Sequence, residues 1–268
     1  MRIIISHDID HWRWTDHLRP DLFLPKHIAR TLYYGFTRTI SARTVLHRFE
    51  WLWRSQQHRL DELLELNRVY DVPATFFVGV ANGLGLSYSS TASEEIVIWL
   101  RERGCNSLGL HGIAYNDPAR IREERKRFCR ILGHDRFGVR MHYLRSNECM
   151  LPMLSEAGFL FDSTTYGVRA PFAVEGMVEF PVGIMDVRVL SPGRNDLAAA
   201  KRKTIQRLSD AEASGVGLIT VNFHDFHFSP AFPDHRDWYT WLLEWLRDRG
   251  HTLIDFESAI QEMGLERH

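Results

Sequence analysis

Residues 2–5 read Arg-Ile-Ile-Ile, and the apolar run stops abruptly at Ser6-His7-Asp8-Ile9-Asp10-His11. Three consecutive isoleucines predict a strand buried on both faces, as in a parallel sheet or an α/β barrel. The polar residues then fall at its C-terminal end, where such folds gather ligands and catalytic side chains. Asp8 and Asp10 are two apart, so an extended backbone points both carboxylates to one side. Like charges so close need a cation, a shared proton or an arginine between them. Carboxylates among imidazoles are the donor types of a metal site.

Strand-like and helix-like segments alternate along the rest of the 268 residues, with helical connections long enough for parallel crossovers. Strands are expected at Val72–Gly79, Asn106–His111, Phe137–Arg145, from Phe159, at Val178–Val182, Ile184–Leu190, Gly217–His224 and His251–Phe256. Helices are expected at 58–70, from Ser93 to Arg103, from Asp117-Pro118 to Leu132, at Glu148–Ala157, Asp196–Ser214 and His235–Arg249. The Gly83/Gly85 loop lacks the third glycine and helix start of a phosphate-binding turn and is set aside. No linker or repeat interrupts the pattern, so one barrel-type domain spanning 1–268 is expected. Its one long departure is the segment at about 12–57. This is a basic, aromatic, mostly helical insertion with turns near Pro20 and Pro25. It suits an anionic or lipid-linked substrate or a membrane surface; equally, its aromatics suit a flap packed on the barrel mouth.

A net charge of −1 argues against a nucleic-acid-coating protein. Three cysteines without CxxC spacing argue against a disulfide framework and for a reducing compartment. The two early aspartates interrupt anything like a signal sequence, and no stretch approaches the ~20 apolar residues of a membrane span. A cytoplasmic protein is expected, with peripheral membrane contact left open and no oligomeric state implied.

Four strand ends carry polar clusters: Asp8/Asp10, His111, Arg140/His142 and His224/Asp225. In a barrel they converge on one mouth. Their order, Ser-His-Asp-Ile-Asp-His, then Gly-Leu-His-Gly-Ile-Ala-Tyr-Asn, Val-Arg-Met-His-Tyr-Leu-Arg, Asp-Ser-Thr and Asn-Phe-His-Asp, resembles the polysaccharide deacetylase (NodB-homology) family. More narrowly, it is similar to members from O-antigen and capsule clusters with a His-Asp-x-Asp first motif. The resemblance covers about residues 2–256. It implies an irregular (β/α) barrel of about seven strands and removal of N-acetyl or other acyl groups from sugars with a divalent metal, usually zinc.

By that resemblance Asp8 is the general base, Arg140 holds it, and His224 is the general acid, with Asp225 a possible orienting partner. Asp10 and His111 are metal ligands, although Ile9 separates two aspartates that are adjacent in the family. Tyr115 stands where the family has its second metal histidine. Either a third ligand comes from elsewhere, His142 first and His7 or His11 next, or the metal is bound weakly or not at all. Tyr115, His11 and His227 are the candidates for substrate contacts. The implied substrate is an N-acylated sugar, with a lipid- or nucleotide-linked precursor of a surface polysaccharide the candidate form. A metal-free or differently specific amide hydrolase and an inactive glycan-binding barrel are the alternatives.

Overall fold

The structure, a computed structural model, describes residues 1–18, 22–53, 60–190 and 196–264, without the side chains of Trp14 and Trp53. The turn expected near Pro20 and the helix start expected at His58 lie outside these residues. In chain order the elements are β1 (Arg2–Ile9), α1 (Phe23–Phe36), α2 (Ala42–Trp53), α3 (Leu60–Val69), β2 (Thr75–Val78), α4 (Ser90–Glu102) and β3 (Leu108–Gly112). They continue with α5 (Pro118–Leu132), β4 (Val139–Met141), α6 (Met150–Ala157), β5 (Phe161–Asp162), β6 (Phe172–Val174), β7 (Met177–Glu179) and β8 (Val182–Met185). The last are α7 (Asp186–Val189), α8 (Leu197–Ala213), β9 (Leu218–His224), α9 (Pro233–Asp248), β10 (Thr252–Ile254) and α10 (Phe256–Glu262).

β1 is the centre of the sheet. It runs parallel to β9 from Arg2 to Asp8, to β2 from Ser6 to Ile9, and to β10 from Arg2 to Ile4. From there the path is β6-β7-β5-β4-β3-β2-β1-β9-β8. Among the strands of the described residues, only β6 and β7 pair antiparallel. The sheet curls until its ends meet, where a bridge joins Tyr166 to Val182 and the Val182 N–H donates to Thr165 O at 2.7 Å. Apart from Arg2, β1 is buried throughout, as an isoleucine run with helices outside and side chains inside requires.

The expected α/β barrel is the observed architecture, but its sheet has ten strands rather than about seven. Part of the excess is the β6–β7 hairpin, made possible by left-handed Glu175 and Gly176 at its two-residue turn. Several local expectations also shift. Pro25 lies inside the first turn of α1, where its missing N–H needs no partner. Ser89, not Ser93, caps α4 by accepting from the Ala92 N–H; the Ser93 hydroxyl donates to Gly79 O at 2.7 Å. β4 is three residues long and gives way to a 3-10 turn at His142–Leu144. The extended segment expected through Leu190 stops at Met185, because Asp186 accepts the Val187 N–H at 2.7 Å and starts α7. Asp117 caps α5 and left-handed Gly133 ends it, as the sequence predicts.

Across β5 and β7, Asp162 lies directly opposite Glu179, and both are fully buried. Burial, then the Glu179 carboxyl, pushes Asp162 well above its ordinary value of 3.8. Such a pair shares a proton, and losing it leaves two buried charges together. Stability from this pair is therefore complete below about pH 4 and is lost as pH rises through the raised value. Asp162→Asn is expected to flatten the alkaline decline of the melting temperature, measured by thermal unfolding across pH.

Candidate active site

At the C-terminal end of the barrel the interior is organised by Arg140, which has no solvent exposure. Its Nη1 donates to Asp8 Oδ1 and to Asn222 Oδ1, each at 2.9 Å. Its Nε donates to Ser163 O and its Nη2 to Ser163 Oγ, again at 2.9 Å. The guanidinium lies 4.3 Å from the Phe77 ring centroid. That ring has room because its cross-strand neighbour is Gly109, where a Cβ would come within 2.6 Å of it. Asn222 Nδ2 donates to Asp8 Oδ2 at 2.7 Å. Burial works to raise the Asp8 carboxyl, but Arg140, with His111 and His224, holds it below the usual range.

Beside Asp8, three ligand-type side chains converge: Asp10, His111 and His142. His111 Nδ1 donates to Arg140 O at 3.0 Å, and His142 Nε2 donates to Leu84 O at 3.2 Å. Those bonds leave the second nitrogen of each ring facing the cluster. These two nitrogens lie 3.0 Å apart, with Asp10 Oδ1 at 3.3 and 3.4 Å. Asp10 Oδ1 is buried without a hydrogen-bond partner. Two ring nitrogens and a carboxylate oxygen this close call for a proton or a cation between them. A divalent cation fits there, and second-shell carbonyls holding the imidazoles are what such a site uses. Burial would lower His142, but Asp10 outweighs it and raises the ring above its ordinary value. For Asp10 itself, the pull of His142 and His111 overcomes burial and takes the carboxyl well below the usual range.

A second buried group is built differently. Asp186 accepts from His224 Nδ1 at 2.7 Å and from His227 Nδ1 at 2.6 Å, and also from the backbone N–H of His224 and of Val187. Its oxygens are fully engaged, so it is an orienting carboxylate. Burial would lower His224, but Asp186 reverses this and pushes it up to about 10, so the ring is an imidazolium. Its Nε2 points at the gap between the aspartates, 3.9 Å from Asp8 Oδ2 and 3.9 Å from Asp10 Oδ2. For His227 burial wins, and the ring is held below its ordinary value.

The structure thus brings together Asp8, Asp10, His111, Arg140, His142 and His224. Other candidates fall elsewhere. Asp225 does not orient His224: it is fully buried with no partner on either carboxylate oxygen, and burial, then Asp10, pushes it well above the usual range. His7 faces the opposite side of β1, against Phe223 O and Asn67. His11 Nδ1 lies 2.9 Å from His17 Nε2, and its ring packs on Phe23, Trp51 and Phe226. The Tyr115 ring packs 4.6 Å from the Arg145 guanidinium, outside the metal-type cluster. Sequence reading missed Asp186, Asn222 and the Leu84 carbonyl. Asn222 was accessible from alternation, two residues before His224 on β9.

No known protein-family signature and no curated protein matches the sequence. Among solved structures, a Mycobacterium smegmatis protein assigned by name to the polysaccharide deacetylases superposes with a TM-score of 0.64, covering 98% of this chain and 89% of its own at 18% identity. The fold is that of the polysaccharide deacetylases. A mutant of a CE4-family pseudoenzyme with restored activity also superposes, at a TM-score of 0.51 and 9% identity over 96% of this chain and 66% of that one. A weaker likeness, TM-score 0.42 and 15% identity over 84% and 72%, is to a Bordetella bronchiseptica protein named for O-antigen biosynthesis.

Two outcomes follow from this geometry. Arg140→Met, leaving Asp8 buried without its arginine, is expected to destabilise the protein by about 3–5 kcal/mol in denaturant unfolding. Asp186→Asn removes the anion that raises His224, so the histidine titration followed by NMR should move down from about 10. The stability lent by that raised value is complete below about 6.5 and lost as pH rises through about 10.

Proposed function

We propose that this protein is a metal-dependent hydrolase that removes an N-acetyl or related acyl group from an amino sugar. The observation that carries the reading is the three-donor cluster of Asp10, His111 and His142 set between an arginine-held aspartate and an aspartate-held imidazolium. The deacetylase fold supports the choice of bond, and the name of the Mycobacterium smegmatis relative supports an acylated carbohydrate.

Asp10, His111 and His142 would hold a divalent cation, zinc by the nitrogen and oxygen donor set, which would supply Lewis acidity at the reacting acyl group. The chain's own residues do the proton work. Asp8 is kept ionised by Arg140, and its Oδ2 has one hydrogen bond, from Asn222, leaving a lone pair to accept the proton of the attacking water. His224 carries a proton on Nε2 while Asp186 occupies Nδ1. That proton passes to the departing amide nitrogen as the C–N bond breaks, giving acetate and a free amine. His142 replaces the histidine absent at Tyr115: the third donor comes from the end of β4 rather than from the loop after β3. The substrate we favour is a precursor of a surface polysaccharide, lipid- or nucleotide-linked, handled in the cytoplasm.

Elemental analysis of protein purified without chelator or affinity-tag metal tests the ligand set. About one equivalent of zinc or a similar ion is expected, lost in His111→Ala and His142→Ala and retained in Tyr115→Phe. Unchanged metal in His142→Ala would sink the assignment. Asp8→Asn should keep the metal yet lose about 10²–10⁴-fold in turnover of an N-acetylated amino sugar.

A further inference from the structure

The helix α1 leaves a large part of its apolar surface in water. Its one fully buried residue is Thr31, whereas Ile28, Leu32, Tyr33 and Phe36 are exposed, Leu32 at 56% and Phe36 at 91%. These residues recur at helical spacing, so they form one outward stripe. Leu22, just before the helix, and Leu46 on α2 extend the apolar surface, each 63% exposed. Scattered exposed leucines are ordinary on a protein surface, but a contiguous stripe marks an interaction site.

The charge around the stripe is mainly basic; Glu50 on α2, one turn after Leu46, pairs with His47. Between residues 22 and 49 there is no aspartate or glutamate, while Lys26, Arg30, Arg38, Arg43 and Arg48 are present. Arg48 is turned inward: its Nε donates to Ala231 O, and its guanidinium lies 4.9 Å from the Phe232 centroid. Lys26, Arg30, Arg38 and Arg43 are exposed. An apolar face flanked mainly by basic residues is the composition of a helix lying in the interface of an anionic bilayer. A second copy of this chain is a poor occupant, since a two-fold contact through this face would set the same basic groups against each other.

We propose that the α1–α2 hairpin docks on an anionic lipid bilayer, burying the outer stripe of α1 among the acyl chains and setting its basic residues against the headgroups. The inner face of the hairpin packs through Phe23, Trp51 and Leu52 against Phe226, Ala231 and Phe232, in the segment that follows His224. Docking therefore holds that segment of the barrel mouth close to the lipid surface. The docking uses no residue of the proposed chemistry; only its value for a lipid-linked substrate depends on that reading.

Sedimentation of the full chain with phosphatidylcholine vesicles, with and without phosphatidylglycerol, tests the proposal. Binding is expected only with phosphatidylglycerol and should weaken as sodium chloride is raised. The double variants L32S/F36S and R30E/R38E, checked for unchanged circular dichroism, should each lose about tenfold or more in vesicle affinity. Asp8→Asn should bind as the unaltered chain does, which separates this result from the hydrolase reading. A chain that stays in the supernatant with phosphatidylglycerol vesicles overturns the proposal, as does L32S/F36S binding undiminished. A dimer in light scattering that L32S/F36S converts to monomer, without vesicle binding by the parent chain, would assign the stripe to a second copy instead.

Discussion

The buried pair of Arg140 and Asp8 is the constraint from which the rest of the site follows. A guanidinium with no exposure is tolerated only where its donors are matched and an anion is beside it. Here Asp8, Asn222 and both oxygens of Ser163 meet it, and Phe77 covers its face. These partners come from β1, β9, β2 and the residue after β5, so the arginine fixes the relative positions of four strand regions. The backbone of the same residue also serves the neighbouring cluster, because Arg140 O accepts a hydrogen bond from His111 Nδ1. One residue thus holds the aspartate ionised and orients a metal-type histidine.

Charge around the mouth alternates in consequence. Asp8 sits between Arg140 and His224, Asp10 between the His111–His142 pair and His224, and Asp186 between His224 and His227. Each carboxylate has a cationic or proton-bearing neighbour that works against its burial. For Asp225 that neighbour, His224, is outweighed, and burial and then Asp10 push its carboxyl toward the neutral form. Sequence proximity to His224 suggested a shared role; the chain turns at that point into a 3-10 helix, and the ring reaches across to Asp186 instead.

That difference shows what was legible in the sequence. β1 was legible because an apolar run that ends in carboxylates has few other structures open to it, and the convergence of His111, Arg140 and His224 followed from strand ends alone. Asp186 was hidden because Ile184–Leu190 reads as extended, and nothing local marks the turn that Asp186 makes with its own carboxylate. Leu84 was hidden because it contributes a carbonyl, which any residue could supply. The inner and outer faces of α1 were equally invisible: a helix of mixed aromatic and basic residues does not say which side is buried until the segment at Phe226–Phe232 is in place against it.

His142 is held at some cost to the backbone, and that cost is informative. Leu84, which accepts from its Nε2, has φ 53°, and the two residues after His142, Tyr143 and Leu144, have φ 59° and 51°. None is glycine, so all three occupy a left-handed region that L-residues enter reluctantly, by roughly 1–3 kcal/mol each. Such strain persists only where surrounding contacts over-determine the conformation. A histidine that merely filled space could relax into the extended path that the sequence suggests for this segment. Here the chain leaves β4 sharply and brings Nδ1 of His142 to Nε2 of His111. Tyr115 packs its ring against Arg145, which in turn donates to Ile113 O and braces the loop after β3. The strained backbone thus lies in the loop after β2 and in the turn after β4, the two segments whose hydrogen bond sets the His142 ring beside His111.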